Sequence, residues 1–120
     1  MNDSESSDGE RRLAAIMFTD MVGFTALAQR DEELAMQLLD EQRKLVRTFL
    51  AEYKGKEIET IGDAFFVEFA SSLDAVRCAV AIQSALKESN LGHPKENQVL
   101  IRIGIHLGDV LHRGREVSGD

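Results

Sequence analysis

Two acidic residues stand where a folded chain would ordinarily place apolar ones. In Phe18-Thr19-Asp20-Met21-Val22-Gly23-Phe24-Thr25 an apolar stretch ends on Asp20 and runs into a glycine-containing turn. In Glu59-Thr60-Ile61-Gly62-Asp63-Ala64-Phe65 a second carboxylate, Asp63, follows a glycine between two apolar runs. An unpaired carboxylate is costly to desolvate, so at a strand end it calls for a cation or a turn. Alone, each reads as a turn. Together they read as hard oxygen ligands for Mg²⁺ or Mn²⁺. Two such ions can activate an attacking oxygen and stabilise a leaving phosphate. The backbone N–H groups from Met21 to Thr25 could then meet an anion, with Gly23 allowing close approach.

The elements that must position these residues follow from periodicity. Residues 11–19 carry a nearly continuous apolar run, Leu13 to Phe18, which suits a strand covered on both faces. Asp20 to Arg30 is expected to form the turn and the entry to a helix. Asp31-Glu32-Glu33 opens that helix with negative charge where its dipole favours it. Leu34, Leu38, Leu45, Phe49 and Tyr53, flanked by Leu39, Val46 and Leu50, form one apolar face. Asp40, Glu41, Arg43, Lys44 and Arg47 read as its solvated side, and Gly55 as a left-handed cap. Residues 56–61 and 64–70 read as strands joined by the tight Gly62-Asp63 turn, with Phe65, Val67 and Phe69 sharing one side. Ser71, Ser72 and Asp74 cap a helix to about Glu88 whose apolar stripe is Leu73, Val76, Val80 and Leu86. After a Gly92- and Pro94-containing loop, Val99, Ile101, Ile103, Ile105 and Leu107 alternate as a strand. A hairpin turn is expected near Arg113-Gly114.

The order strand, helix, strand, strand, helix, strand predicts an α+β fold. It is the ferredoxin-like βαββαβ arrangement, an antiparallel sheet with two helices on one face. Strands one and three lie centrally in that arrangement, so Asp20 and Asp63 meet at one end of the sheet. Unless neutralised, such a pair is expensive.

Composition narrows the partners. The 120 residues make one domain at most, and the Ser/Asp/Glu-rich residues 1–10 read as a disordered lead-in. A net charge of -7 argues against a general nucleic-acid or anionic-membrane surface, yet leaves room for a nucleotide in a local cleft. No run has the length of a membrane span, and the acidic start is unlike a signal peptide. The single Cys78 reads as a small buried residue in a reduced, cytoplasmic setting.

The two carboxylate stretches, followed by Arg102-Ile103-Gly104-Ile105-His106-Leu107-Gly108, resemble the class III adenylate/guanylate cyclase catalytic domain of bacterial type, in order and over residues 11–120. The resemblance implies a palm-type fold and conversion of ATP or GTP to a 3′,5′-cyclic nucleotide and pyrophosphate. It implies that Asp20 and Asp63 are catalytic and, with Met21, hold two metal ions. It implies that Met21, Val22, Gly23, Phe24, Thr25 and Gly62 bind the triphosphate. It also implies a cytoplasmic, head-to-tail homodimer with the site at the interface. Glu59 falls where adenylate cyclases of the family carry lysine and guanylate cyclases carry glutamate. Glu116 falls at the second base-reading position, aspartate or cysteine respectively in the two types, so the pair is mixed and ATP or GTP stays open. The family continues past Ser118-Gly119-Asp120 through a segment supplying an asparagine and an arginine to the transition state. Residues 11–120 are accordingly expected to be the metal-binding, partial nucleotide cyclase domain.

Other constellations are weaker. His106, Asp109 and His112 fail as a metal cluster, because residues three apart on a strand face opposite sides. Arg102 reads as solvent- or dimer-facing. A diguanylate cyclase would need a Gly-Gly-acid-acid-Phe signature that the sequence lacks. A non-catalytic ferredoxin-like module for nucleotide binding or dimerisation is the alternative function.

Overall fold

The computed structural model describes the backbone of residues 10–113 and 116–119 and the side chains of residues 12–109. The expected lead-in, apart from Glu10, lies outside the described residues. The chain runs β1 (Glu10–Met21), α1 (Phe24–Arg30), α2 (Glu32–Glu52), β2 (Lys56–Ile61), β3 (Ala64–Phe69), α3 (Ser72–Asn90), β4 (Ile101–Arg113) and β5 (Glu116–Gly119). The five strands form one antiparallel sheet in the order β2-β3-β1-β4-β5. This is the ferredoxin-like α+β arrangement with one strand added outside β4.

The strand carrying Asp20 is central and longer than its apolar run. Its helix-side residues Ala15, Met17, Thr19 and Met21 are buried, but Ile16 is half-buried and Phe18 is 40% exposed. The expectation of a strand covered on both faces is therefore corrected. One face lies under α2 and α3, and the other is open, with Phe18 packed edge-to-face on Phe66 of β3 at 5.3 Å between ring centroids. Edge-to-face geometry suits the ring quadrupoles and leaves part of both rings to solvent.

A second departure is α1. The turn after Asp20 forms its own short helix, which ends at Asp31, and the Asp31 carboxylate then caps α2 by accepting from Leu34 N–H at 3.1 Å. On α2 the expected apolar face is confirmed, with Leu38, Leu39, Val46 and Leu50 buried, but Gln42 is buried among them at 1% exposure. At the end of α2 the left-handed residue is Lys54 (φ 65), not Gly55. Gly55 is needed for clearance: a Cβ there would lie 2.8 Å from the Phe69 ring and 3.0 Å from Val67. The chain thus leaves the helix pressed against β3, where any side chain would collide.

The apolar stripe of α3 is also displaced from expectation. Ser71 caps it as predicted, accepting from Asp74 N–H. The buried residues are Ala75, Cys78, Ile82 and Leu86, whereas Leu73, Val76 and Val80 are 55%, 48% and 60% exposed. Small side chains at 75 and 78 let the helix lie close to the sheet, so the bulkier stripe beside them is turned outward. Burial foremost, and the charge of Glu52 after it, push the Cys78 thiol up to about 11, so it stays neutral. Along β4 the register keeps Ile101, Ile103, Ile105 and Leu107 on the helix side, yet only Ile101, with Val99 just before the strand, is buried, while Ile105 and Leu107 are exposed. β4 starts at Ile101 and continues to Arg113, and β5 pairs with it antiparallel, Glu116 opposite Arg113; Gly114 of the expected hairpin turn lies outside the described residues.

Candidate active site

Asp20 is the next-to-last residue of β1, and its register partner on β4 is Arg102. Paired residues share a face, and the Asp20 Oδ1 accepts from Arg102 Nε at 2.9 Å. That hydrogen bond, then the Asp20 charge and, more weakly, the Asp63 charge hold the guanidinium pKa above its ordinary value, against a small opposing effect of desolvation. Both side chains are well exposed, so the pair orients rather than stabilises. Arg102, read from sequence as facing solvent or a dimer partner, is 70% exposed and also binds Asp20.

Asp63 arrives from the other side. Gly62 takes φ 57, the left-handed region that glycine enters without strain, and turns β2 into β3. The Asp63 Oδ2 accepts from the Met21 N–H at 2.8 Å, which ties the turn to the end of β1. Behind the turn, two α2 side chains donate to consecutive carbonyls: Arg43 Nη2 to Gly62 O at 2.7 Å and Gln42 Nε2 to Asp63 O at 3.2 Å. The structure thus brings Asp20, Met21 and Asp63 together at one end of the sheet. With Asp20 bound to Arg102 and Asp63 held by the Met21 N–H, the two carboxylates offer hard-oxygen donors of the kind that fit Mg²⁺ or Mn²⁺.

The anion turn is narrower than expected. The Met21 N–H is committed to Asp63 and the Val22 N–H to Leu100 O at 2.8 Å. Gly23, φ 72, is the N-cap of α1 without a side-chain cap, so Phe24 and Thr25 begin a helix whose first N–H groups lack helical partners. A Cβ on Gly23 or Gly62 would meet nothing within 4 Å. Both glycines therefore serve backbone conformation, and the space over them is open.

Glu59 owes its place to a bulge. The register slips between Glu57 and Glu59, so Glu57 pairs with Val67 and Glu59 with Phe66. Without the slip the two glutamates would share a face. With it, Glu57 turns toward α2, where Arg47 clasps it through two bonds of 3.0 Å, and Glu59 joins Phe66, Phe18 and Asp20 on the open face. Glu116 opens β5, paired with Arg113, and its side chain lies outside the described residues. Glu59 and Glu116 stand on opposite edge strands, so one chain does not bring them together. Among the described residues no group of three metal-binding side chains forms, and the His112 side chain lies outside them.

A cleft of about 440 Å³ opens elsewhere, between α2 and the end of α3, over Leu45, Phe49, Leu86 and Val99. It lacks Asp20 and Asp63, so the better-enclosed space and the carboxylates do not coincide. The carboxylate end is the stronger candidate because its donor chemistry is specific. Gln42 belongs to both: it lines the cleft and bonds the Asp63 carbonyl.

Residues 9–116 match the family described as the adenylate and guanylate cyclase catalytic domain. The putative adenylate cyclase 3 of Rhizobium meliloti (strain 1021) is 34% identical over 92% of this chain and 19% of its own length. Human atrial natriuretic peptide receptor 2 is 30% identical over 79% of this chain and 10% of the receptor. The crystal structure of an adenylate/guanylate cyclase/hydrolase from Silicibacter pomeroyi superposes with a TM-score of 0.81 at 32% identity, over 92% of this chain and 65% of that one. The chain thus spans about a fifth of the first of these curated relatives and under two thirds of that solved structure. With the sheet order, the paired carboxylates and the matched residues in agreement, the chain belongs to the adenylate and guanylate cyclase catalytic domain family.

Proposed function

We propose that the chain is the metal- and triphosphate-binding part of a class III nucleotide cyclase. It would convert ATP or GTP to the 3′,5′-cyclic nucleotide and pyrophosphate, in cytoplasmic signalling. The observation that carries this reading is the meeting of Asp20 and Asp63 beside Arg102, from strands far apart in sequence. When bound there, Mg²⁺ or Mn²⁺, two ions in this reading, supplies Lewis acidity that lowers the pKa of the ribose 3′-hydroxyl and offsets phosphate charge. The Asp20 and Asp63 carboxylates and the Met21 carbonyl are the groups to hold it. Arg102, which now binds Asp20, is a guanidinium placed to take phosphate oxygens. Gly23, Phe24 and Thr25 offer the remaining N–H donors, and Gly62 keeps its side of the site free of a side chain.

The open face supports assembly as a homodimer. It carries the half-exposed pair Phe18 and Phe66 next to Glu59 and Asp20, an apolar surface adjoining the polar site. Glu116 on the far edge strand would then serve a partner's site rather than its own. Glu59 can accept from the N1–H and amino group of guanine.

Calorimetry with Mn²⁺ and ATP or GTP tests the reading. Saturable, Mn²⁺-dependent nucleotide binding is expected, weakened about a hundredfold or more by Asp20→Ala, by the scale of metal-ligand loss. Absence of heat and of any thermal shift, with Asp20→Ala indistinguishable from the parent, sinks it and leaves the non-catalytic module. For the base, GTP should bind more tightly than ATP and Glu59→Lys should reverse the order. Equal affinities that the substitution does not move take Glu59 out of the site.

A further inference from the structure

We propose that Gln42 and Arg43 are positioning residues that clamp the β2–β3 turn and so fix where the Asp63 carboxylate points. This rests on Asp63 being a metal ligand. Adjacent residues on a helix diverge by about 100°, so they converge on one target only when it lies over the line between them. The turn does lie there: Arg43 Nη2 donates to Gly62 O at 2.7 Å and Gln42 Nε2 to Asp63 O at 3.2 Å.

Both side chains are unusual for their places. Gln42 is 1% exposed in an otherwise apolar stripe, and a buried amide is retained where its hydrogen bond matters. Arg43 sits on the charged side of α2, yet it is half-buried and spends its guanidinium on a neutral carbonyl. Gln42 Oε1 and Arg43 Nε are buried without hydrogen-bond partners, so neither side chain is there to satisfy itself fully. Each has one bond, and both bonds go to the same two-residue turn.

The turn needs such support. It is two residues long, it contains a glycine at positive φ, and its far side is held by the bond from Met21 N–H to the Asp63 carboxylate. That bond must share its oxygens with any cation. The carbonyl bonds from α2 do not, because they grip the backbone and leave the carboxylate free to coordinate. Groups that orient a ligand from behind change metal affinity by about tenfold to a hundredfold when removed.

The test is Mn²⁺ binding to the full chain, followed by the electron paramagnetic resonance signal of free Mn²⁺, with no nucleotide present. Gln42→Met keeps size and apolar packing but loses the donor, and Arg43→Met does the same for the turn's first carbonyl. Each is expected to weaken Mn²⁺ binding about tenfold at a temperature where circular dichroism shows the fold intact. Arg43→Lys, which can still donate to Gly62 O, should stay within about threefold of the parent. A residue that only stabilises the domain would lower the melting temperature and leave the affinity of the folded protein unchanged. Should Arg43→Met not fold, Arg43→Gln, polar but too short for the carbonyl, gives the same measurement. Asp63→Asn separates the two ideas. If it abolishes Mn²⁺ binding while Gln42→Met and Arg43→Met bind like the parent, the clamp is overturned and the metal reading stands. If Asp63→Asn binds Mn²⁺ unchanged, the metal reading falls and the clamp with it.

Discussion

The two flanks of the sheet are finished differently. On the β2–β3 flank, α2 is tied down by polar side chains: Arg47 to Glu57, Arg43 to Gly62, Gln42 to Asp63. The chain leaving α2 is pressed so close at Gly55 that no side chain fits. On the β4 flank, α3 meets the sheet through Ala75, Cys78, Ile82 and Leu86, and Leu73, Val76, Val80, Ile105 and Leu107 stay exposed. Its polar bonds gather at the entry to β4, from Gln83 Nε2 to Ile101 O at 2.8 Å and between the Asn90 side chain and Val99. Hydrogen bonds are directional, so each flank fixes what its bonds grip: the α2 bonds hold the turn that carries Asp63, and the α3 bonds hold the entry to β4 and leave the rest of that flank to apolar contact. The turn that presents Asp63 belongs to the first flank. A metal-binding carboxylate needs orientation within a fraction of an ångström, and bonds to the backbone of its own turn are the kind of support that can give it.

The sharpest way to break the contrast is within α3. If cohesion on the β4 flank comes from the inner stripe alone, Ile82→Ala costs about 2–5 kcal/mol, because a fully buried side chain leaves a cavity. Val80→Ala, two residues away and 60% exposed, changes stability by no more than about 0.5 kcal/mol. Urea unfolding of both variants reads the difference. Comparable losses at the two positions would mean that the outer stripe is packed after all, and the inner stripe would not be what holds α3 to the sheet.

Gly55→Ala probes the opposite flank. Its new methyl would stand under 3.0 Å from the Phe69 ring, a side chain that is itself 1% exposed and cannot swing away. Overpacking of this kind costs about 1–3 kcal/mol, even though Ala is favoured over Gly in the unfolded-state balance. A stabilised Gly55→Ala in thermal melts would show that the approach of α2 to β3 is looser than the contact implies.

These flanks were unequally legible in the sequence. The core stripe of α2, the alternation of β3 and β4 and the strand order all follow from the spacing of apolar residues, which is a local property. The inward stripe of α3 does not, since Leu73, Val76 and Val80 are more apolar than the Ala75 and Cys78 that the sheet selects by size. Asp20 and Asp63 were readable as carboxylates at strand ends. Arg102 was not, because its partner depends on the β1–β4 register, which alternation leaves free by steps of two. The bulge that sends Glu57 and Glu59 to opposite faces likewise leaves no trace in the pattern. Gln42 did leave one: it falls at Leu38, Gln42, Val46 on the buried side, and a lone amide there demands a partner.

The smallest expected effect concerns the tie from α2 to β2. The hydrogen bond from Arg47 foremost, then that from Thr60, and the charges of Arg47 and Arg43 hold the Glu57 carboxyl below the usual carboxylate range, with burial opposing. A carboxyl depressed in the folded state binds its proton more readily when unfolded. Its stabilisation is thus fully present above the unfolded-state value, near 4.3 for glutamate, and is lost as pH falls through the folded value. The side chains of Arg47 and Glu57 are 50% and 31% exposed, so screening keeps the contribution below about 1 kcal/mol. Comparing the parent with Glu57→Gln by urea unfolding, the parent should be slightly more stable at pH 7, and the gap should close as pH falls below the unfolded-state value and through the lowered folded one. A gap that is absent at neutral pH would leave the bonds from Gln42 and Arg43 to the turn as the hydrogen bonds that hold α2 on this flank. The polar support of Asp63 would then rest on the turn itself and not on the strand that leads to it.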